Sequence, residues 1–273
     1  MGFARKASKL AVLPLGSFTR RQPNDLSILL YHRVGVGSRE IDLDRQAFDR
    51  QIQELAALRR VLPLDEAVSS GRGGIVVTFD DGYRDFVDHV VPVLANHRIP
   101  AVLYLATGLL DGSASGADLG PPLTWGALAE AVASGFVTIG AHTHSHADLS
   151  IASATEARDE MRKSRDLIED RLGLPCRHFA YPWAVGSEAA EAATRDLFDS
   201  AALHVWRTNR TGRTDPYALG RVPILRSDGP LFFRAKVEGR LDGEALLYRA
   251  LRKGPWKQPD RGSIASLGGT SYG

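Results

Sequence analysis

Short apolar runs rich in β-branched residues alternate along this chain with stretches of helical periodicity, a rhythm that argues for parallel strands joined by helices. The runs fall at residues 27–32, 75–79, 101–106, 136–140, 178–181, 201–206 and 221–225. Between them, Phe48, Ile52 and Leu55 recur at helical spacing behind a cap at Asp42 or Asp44, and residues 86–97, 123–133, 154–172 and 188–197 read as further helices. In the longest of these, Met161, Ile168 and Leu172 are set to face inward. Helices at 231–237 and 244–251 follow the last run, and the Gly- and Ser-rich stretch 111–122 reads as a loop.

With 273 residues, 44% of them hydrophobic, the chain can bury a full core as one enzyme-sized domain, and α/β barrels of this length commonly do so. A net charge of +2 gives no global reason to bind nucleic acid or an anionic membrane. Arg5, Lys6, Lys9, Arg20 and Arg21 concentrate ahead of the first run, so residues 1–25 are expected to be a basic, flexible leader. As a targeting signal this leader fails, because Pro14 and Gly16 break its apolar stretch and no small-residue cleavage pattern follows. The expected location is therefore the cytoplasm rather than outside the cell. No segment reaches the ~20 apolar residues of a membrane span. The single Cys176 excludes an internal disulfide and is expected to be structural. Residues 26–254 are left as the working domain, and 255–273, rich in Gly, Ser and Pro, as a disordered tail.

Two of the runs end in chemistry. T-F-D-D-G, from Thr78 to Gly82, closes the second with an adjacent acid pair, Asp80 and Asp81, and a glycine that can turn the chain sharply. H-T-H-S-H closes the fourth and places His142 and His146 at an i, i+4 spacing that one helical turn would bring onto one face. Two imidazoles and a carboxylate with an open position suit a catalytic divalent metal.

Together with F-A-Y-P-W, from Phe179 to Trp183, these segments resemble in order and spacing the NodB-homology polysaccharide deacetylases, carbohydrate esterase family four. L-L-Y-H-R-V from Leu29, L-T-W from Leu123 and the stretch from Pro216 to Arg221 extend the likeness over residues 26–225. The resemblance implies a distorted (β/α) barrel of about seven parallel strands. It also implies metal-dependent removal of acetyl groups from sugars, with Asp81, His142 and His146 holding the metal and Asp80 as catalytic base. Zinc is the default ion, with cobalt, nickel or iron as alternatives. Such a cation polarises an amide carbonyl and lowers the pKa of water from ~15.7 to ~7, while the second carboxylate takes the proton. It also offsets the repulsion between the neighbouring acids. The amide that meets the developing oxyanion is expected from Tyr181 or Trp183, and Trp183 can also wall the sugar or the acetyl methyl.

The chain departs from the family pattern in two places. Many members carry F-R-P-P-Y-G in the third motif, where the arginine tunes the base; here Ala180 stands in its place, and Arg177 lies three residues away. The late leucine–histidine pair that protonates the leaving amine is also missing. One subgroup, resembling bacterial poly-N-acetylglucosamine deacetylases, is circularly permuted and places the equivalent strand first. On that likeness His32 is the expected general acid, with His204 the alternative, and His144 is expected to be structural or exposed. The expected activity is removal of N-acetyl groups from N-acetylhexosamine units of an exopolysaccharide or its precursor. An O-acetyl esterase and a sugar-binding protein with a vestigial site are the alternatives. Two histidines and a carboxylate also suit Fe(II) oxygen chemistry, and Asp80 with F-A-Y-P-W favours hydrolysis.

Overall fold

The structure is a computed structural model that describes residues 25–114, 120–205 and 207–240. The expected leader, the tail and the helix at 244–251 lie outside these residues, apart from Asp25, where the first strand begins. The strands are β1 (Asp25–Tyr31), β2 (Arg33–Val34), β3 (Asp42–Leu43), β4 (Gly74–Asp81), β5 (Ala101–Leu105), β6 (Val137–Ala141), β7 (His178–Ala180), β8 (Ser200–Val205), β9 (Asn209–Arg210) and β10 (Leu219–Pro223). The helices are α1 (Arg45–Leu58), α2 (Leu64–Ser69), α3 (Val91–His97), α4 (Gly108–Asp111), α5 (Trp125–Ala133), α6 (Ala154–Leu172), α7 (Glu188–Leu197) and α8 (Pro230–Val237).

Each of the seven apolar runs is a barrel strand. The order β10-β8-β7-β6-β5-β4-β1 is parallel throughout and closes where β1 pairs with β10, Leu29 against Val222 and Leu30 against Pro223. The result is a (β/α) barrel of seven parallel strands, the number that the resemblance implies. Its seam is short, and the antiparallel β9 lies along the lower part of β1.

Strand alternation divides the core into two layers. Leu29, Tyr31, Val77, Phe79 and Leu103 pack outward against Phe48 and Ile52 of α1, Leu94 of α3, Leu128 of α5 and Met161 of α6. Leu26, Ile28, Val76, Val102, Tyr104, Ala180 and Ala202 fill the inside. Leu64 and Ala67 of α2 join that inner cluster and plug the barrel at the N-terminal ends of its strands. His178 steadies the plug, its ring sharing hydrogen bonds with Ser200 Oγ at 2.9 Å and Asp65 Oδ1 at 3.1 Å.

Helix ends follow side-chain chemistry. Asp44 caps α1 by accepting from the Ala47 amide, and Ser153 and Glu156 form a capping box on α6. Thr124 caps α5, so Leu123, expected inside that helix, precedes it. The expected helix at 86–97 is a π-helical turn, Phe86–Val90, running into α3. One expectation is overturned: residues 142–146 do not form a helical turn. Thr143 and His146 take left-handed backbone angles, φ 62° and 60°, and the chain bends instead.

Candidate active site

The C-terminal ends of the parallel strands carry the candidate residues, as expected for a barrel of this kind. Asp80 turns inward near the end of β4, almost fully buried, and meets Arg221 of β10 in a two-pronged ion pair. Arg221 Nη1 donates to Oδ1 at 2.6 Å and Nη2 to Oδ2 at 2.8 Å, while the guanidinium lies 5.4 Å from the centre of the Tyr104 ring. Burial alone would raise the Asp80 pKa; Arg221, then His142 and His32, hold it below the usual aspartate value. The arginine beside Asp80 is thus Arg221, not Arg177, which the sequence places near Ala180 and leaves by default on the surface. Arg177 itself is exposed, and its side chain lies 4.0 Å from Asp199 on the surface.

Asp81 follows with φ 77° and Gly82 with φ 109°. A side chain on Gly82 would also strike Leu105 Cδ1 at 2.4 Å, so the sharp turn requires glycine. Beside that turn Asp81 faces the histidines. Asp81 Oδ1 lies 3.4 Å from His146 Nε2 and 3.8 Å from His142 Nε2. Burial would raise the Asp81 pKa, but the hydrogen bond and charge of His146, with His32 and His142, pull it well below the ordinary range.

His142 sits just past β6 and donates from Nδ1 to the Ala180 carbonyl at 2.7 Å, which fixes its tautomer and leaves the Nε2 lone pair facing the acids. Burial, opposed by Asp80, pushes its pKa down to about 4, so the ring is neutral near pH 7. One donor atom each from Asp81, His142 and His146 lie within 4.8 Å of one another. Oxygen and imidazole donors in this number fit a divalent cation with open positions. His144 does not join them. It is buried and bonds Thr107 Oγ1 at 2.9 Å and Ser113 Oγ at 3.0 Å.

The segment after β7 supplies a wall. The Trp183 ring meets the His146 ring edge-on at 4.8 Å, and Trp183 and Ala184 both have positive φ, 59° and 54°. Tyr181 is committed to the fold: its amide donates to the Ala202 carbonyl at 3.1 Å and its hydroxyl shares a 2.6 Å hydrogen bond with Thr194. Of seven described non-glycine residues with positive φ, Arg59 and Arg98 end helices, and Asp81, Thr143, His146, Trp183 and Ala184 surround the site. Left-handed backbone costs about 1–2 kcal/mol per residue, so its concentration here marks a locally constrained centre.

His32 follows the last residue of β1, partly buried, close enough for its charge to act on both Asp80 and Asp81. The structure thus brings His32 to the same barrel end as the acids and the histidine pair. His204 falls within β8, its side chain outside the described set. Among the described residues, no helix is long and apolar enough to cross a membrane.

Comparison with known proteins agrees with this geometry. Residues 67–198 match the Polysaccharide deacetylase family model. YxkH, a polysaccharide deacetylase homologue from Bacillus subtilis (strain 168), is 24% identical over 171 residues, 59% of this chain. The chain spans 57% of that relative's length. Among solved structures, the Streptococcus pyogenes deacetylase PplD in complex with acetate superimposes with a TM-score of 0.70 at 22% identity, over 79% of this chain and 99% of that one. IcaB from Ammonifex degensii gives 0.65 at 24% identity, over 81% and 100%. The structural likenesses are of fold, and together with them the match over residues 67–198 makes this chain similar to the polysaccharide deacetylases in sequence across its middle and in barrel fold across about four fifths of its length.

Proposed function

We propose that this protein is a metal-dependent hydrolase that removes N-acetyl groups from N-acetylhexosamine units of an exopolysaccharide or its saccharide precursor. The observation that carries this reading is Asp80, a buried carboxylate kept ionised by Arg221 and set 3.8 Å from His142 Nε2, beside the Asp81–His142–His146 donor set. When bound there, a divalent cation, zinc by default and cobalt, nickel or iron as alternatives, supplies Lewis acidity that polarises the acetyl carbonyl and favours ionisation of water.

The chain's own residues do the rest. Asp80 takes a proton from the attacking water, and its pairing with Arg221 keeps it free of a proton beforehand. As the carbonyl carbon becomes tetrahedral its oxygen gains charge, and the Trp183 amide, held in the strained turn beside His146, is the proposed donor to it. His32 protonates the nitrogen as the C–N bond breaks, so the sugar leaves as a neutral amine and the acyl group as acetate. The Streptococcus pyogenes relative was solved with acetate, the product of this reaction.

The test is to incubate the protein, loaded with a defined metal, with N-acetylglucosamine oligomers and separately with an aryl acetate, measuring acetate and new amine. Acetate with an equal amount of amine, lost on chelation and in Asp80→Asn, is expected. Cleavage of the aryl ester alone moves the assignment to an O-acetyl esterase, and bound metal without turnover to a binding protein.

A further inference from the structure

We propose that Glu160 of α6 is a positioning residue for the metal site: its carboxylate holds the loop between His142 and His146 in the shape that brings both imidazoles to Asp81. This rests on the metal-site reading of those three residues. Glu160 is not among the donors itself. Oε2 accepts from the backbone amides of His144 at 2.9 Å and Ser145 at 2.8 Å, and Oε1 accepts from the Ser145 hydroxyl at 2.9 Å. One side chain from another element thus gathers both amides at the middle of the five-residue span between the ligands.

The span needs such an anchor. It contains two left-handed non-glycine residues, Thr143 and His146, and a backbone in that region persists only where its surroundings over-determine it. The first ligand is oriented directly, through the Ala180 carbonyl. The second lies four residues on, so its position follows the path of the loop. On one side the loop carbonyls are held by α4: the Gly108 amide donates to the His144 carbonyl at 2.7 Å and the Thr107 amide to the Thr143 carbonyl at 3.4 Å. On the other side Glu160 holds the amides. The support is itself rigid, because the next residue, Met161, is fully buried and Ser164 Oγ donates to the Leu105 carbonyl of β5 at 3.4 Å. Losing a group that orients a metal ligand costs about 10–100-fold in affinity, and Glu160 acts on the residue next to His146.

The experiment titrates metal-free protein with Zn2+ against a chromophoric chelator and follows Co2+ loading by its visible absorption, which reports ligand geometry. Binding of one equivalent by the wild type, abolished in His142→Ala, establishes the site on which the inference rests; if that fails, the metal reading fails with it. Glu160→Gln keeps one accepting oxygen and loses the charge, and it is expected to bind Zn2+ about 10–100-fold more weakly and to alter the Co2+ spectrum. Ser145→Ala, which removes only the hydroxyl contact, is expected to shift affinity in the same direction by less. Ser153→Ala weakens the same helix at its N-cap without touching Glu160 and is expected to leave affinity and spectrum near wild type. Wild-type affinity and spectrum in Glu160→Gln would overturn the proposal, as would a Ser153→Ala variant impaired as much as Glu160→Gln.

Discussion

A carboxylate as buried as Asp80, 4% exposed, stays ionised only beside a positive partner, and Arg221 at 2% exposed is that partner. Arg221→Met is expected to leave Asp80 uncompensated and to destabilise the fold by about 3–5 kcal/mol near neutral pH. Arg221→Lys keeps the charge without the two-pronged fit and falls between the two. In the wild type the Asp80 pKa is depressed, so the pair's contribution is fully present above the unfolded aspartate value of ~3.9 and is lost only as pH falls through the folded value. Without Arg221 burial dominates and the sign reverses: the folded pKa rises, and stability falls as pH climbs toward it. Denaturant unfolding of metal-free protein at pH 5 and pH 8 checks this, with the gap between wild type and Arg221→Met wider at pH 8. An equal gap at both values counts against the account. The acids and histidines were legible in the sequence because metal chemistry admits few residue types, and the runs 75–79 and 136–140 marked where they would emerge. Arg221 was not, because its partner lies 141 residues away and the family pattern places the arginine at the position Ala180 occupies. The available signal was an arginine inside the buried run L-G-R-V-P, where an unpaired charge would be prohibitive.

The barrel strands and longer helices announce themselves by period, whereas the elements that set the site's finer geometry are too short to have one. Two-residue β2, β3 and β9 and the six-residue α2 carry no periodic signal, and the bend at 142–146 is made by hydrogen bonds from α4 and α6 that no local spacing reveals. The β2 segment shows the consequence. Asp85, just beyond the Asp81–Gly82 turn, accepts from the Val34 amide at 2.7 Å and from Arg33 Nε at 3.3 Å, and Arg33 lies 4.9 Å from the centre of the Tyr83 ring. His32 is therefore bracketed, with β1 on one side and this tie to the acid-bearing turn on the other. Asp85→Ala leaves Arg33 buried without this carboxylate and is expected to cost about 3–5 kcal/mol; Asp85→Asn retains an acceptor and costs less. If the tie aims His32, Asp85→Asn slows N-acetyl cleavage more than cleavage of an aryl acetate, whose leaving group needs no proton. Steady-state rates on both substrates, at temperatures where the variant is fully folded, decide this. An unchanged amide-to-ester ratio removes the role.

At the scale of the whole molecule, the Asp80–Arg221 pair depends on closing a barrel whose last seam is short. Asp80 and Arg221 stand on opposite sides of it, one on β4 beside β1 and the other on β10, so the ion pair is made only when β1 and β10 meet. Two register pairs join those strands directly, Leu29 with Val222 and Leu30 with Pro223, and on its other side β10 shifts register against β8 between Leu219 and Gly220. Asn209, fully buried, fills the gap with its side-chain amide: Nδ2 donates to the carbonyls of Leu26 at 3.4 Å and Gly220 at 2.8 Å, and Oδ1 accepts from the Gly220 amide at 2.7 Å. It does for the seam what a further strand does elsewhere in the sheet. Asn209→Ala takes away the side-chain partner of both Gly220 backbone groups in a dry interior, a loss of about 2–4 kcal/mol. For a domain of this size that corresponds to a fall in Tm of roughly 4–16 °C. Because Gly220 precedes Arg221, the variant is also expected to lose turnover while still folded, and its β1 and β10 amides to exchange with solvent faster than those of β5 and β6. Calorimetry combined with residue-resolved hydrogen exchange makes the comparison. A lowered Tm with exchange accelerated evenly around the barrel would make Asn209 one more buried contact, whereas acceleration confined to β1 and β10 would identify it as the group that closes the barrel under the Asp80–Arg221 pair.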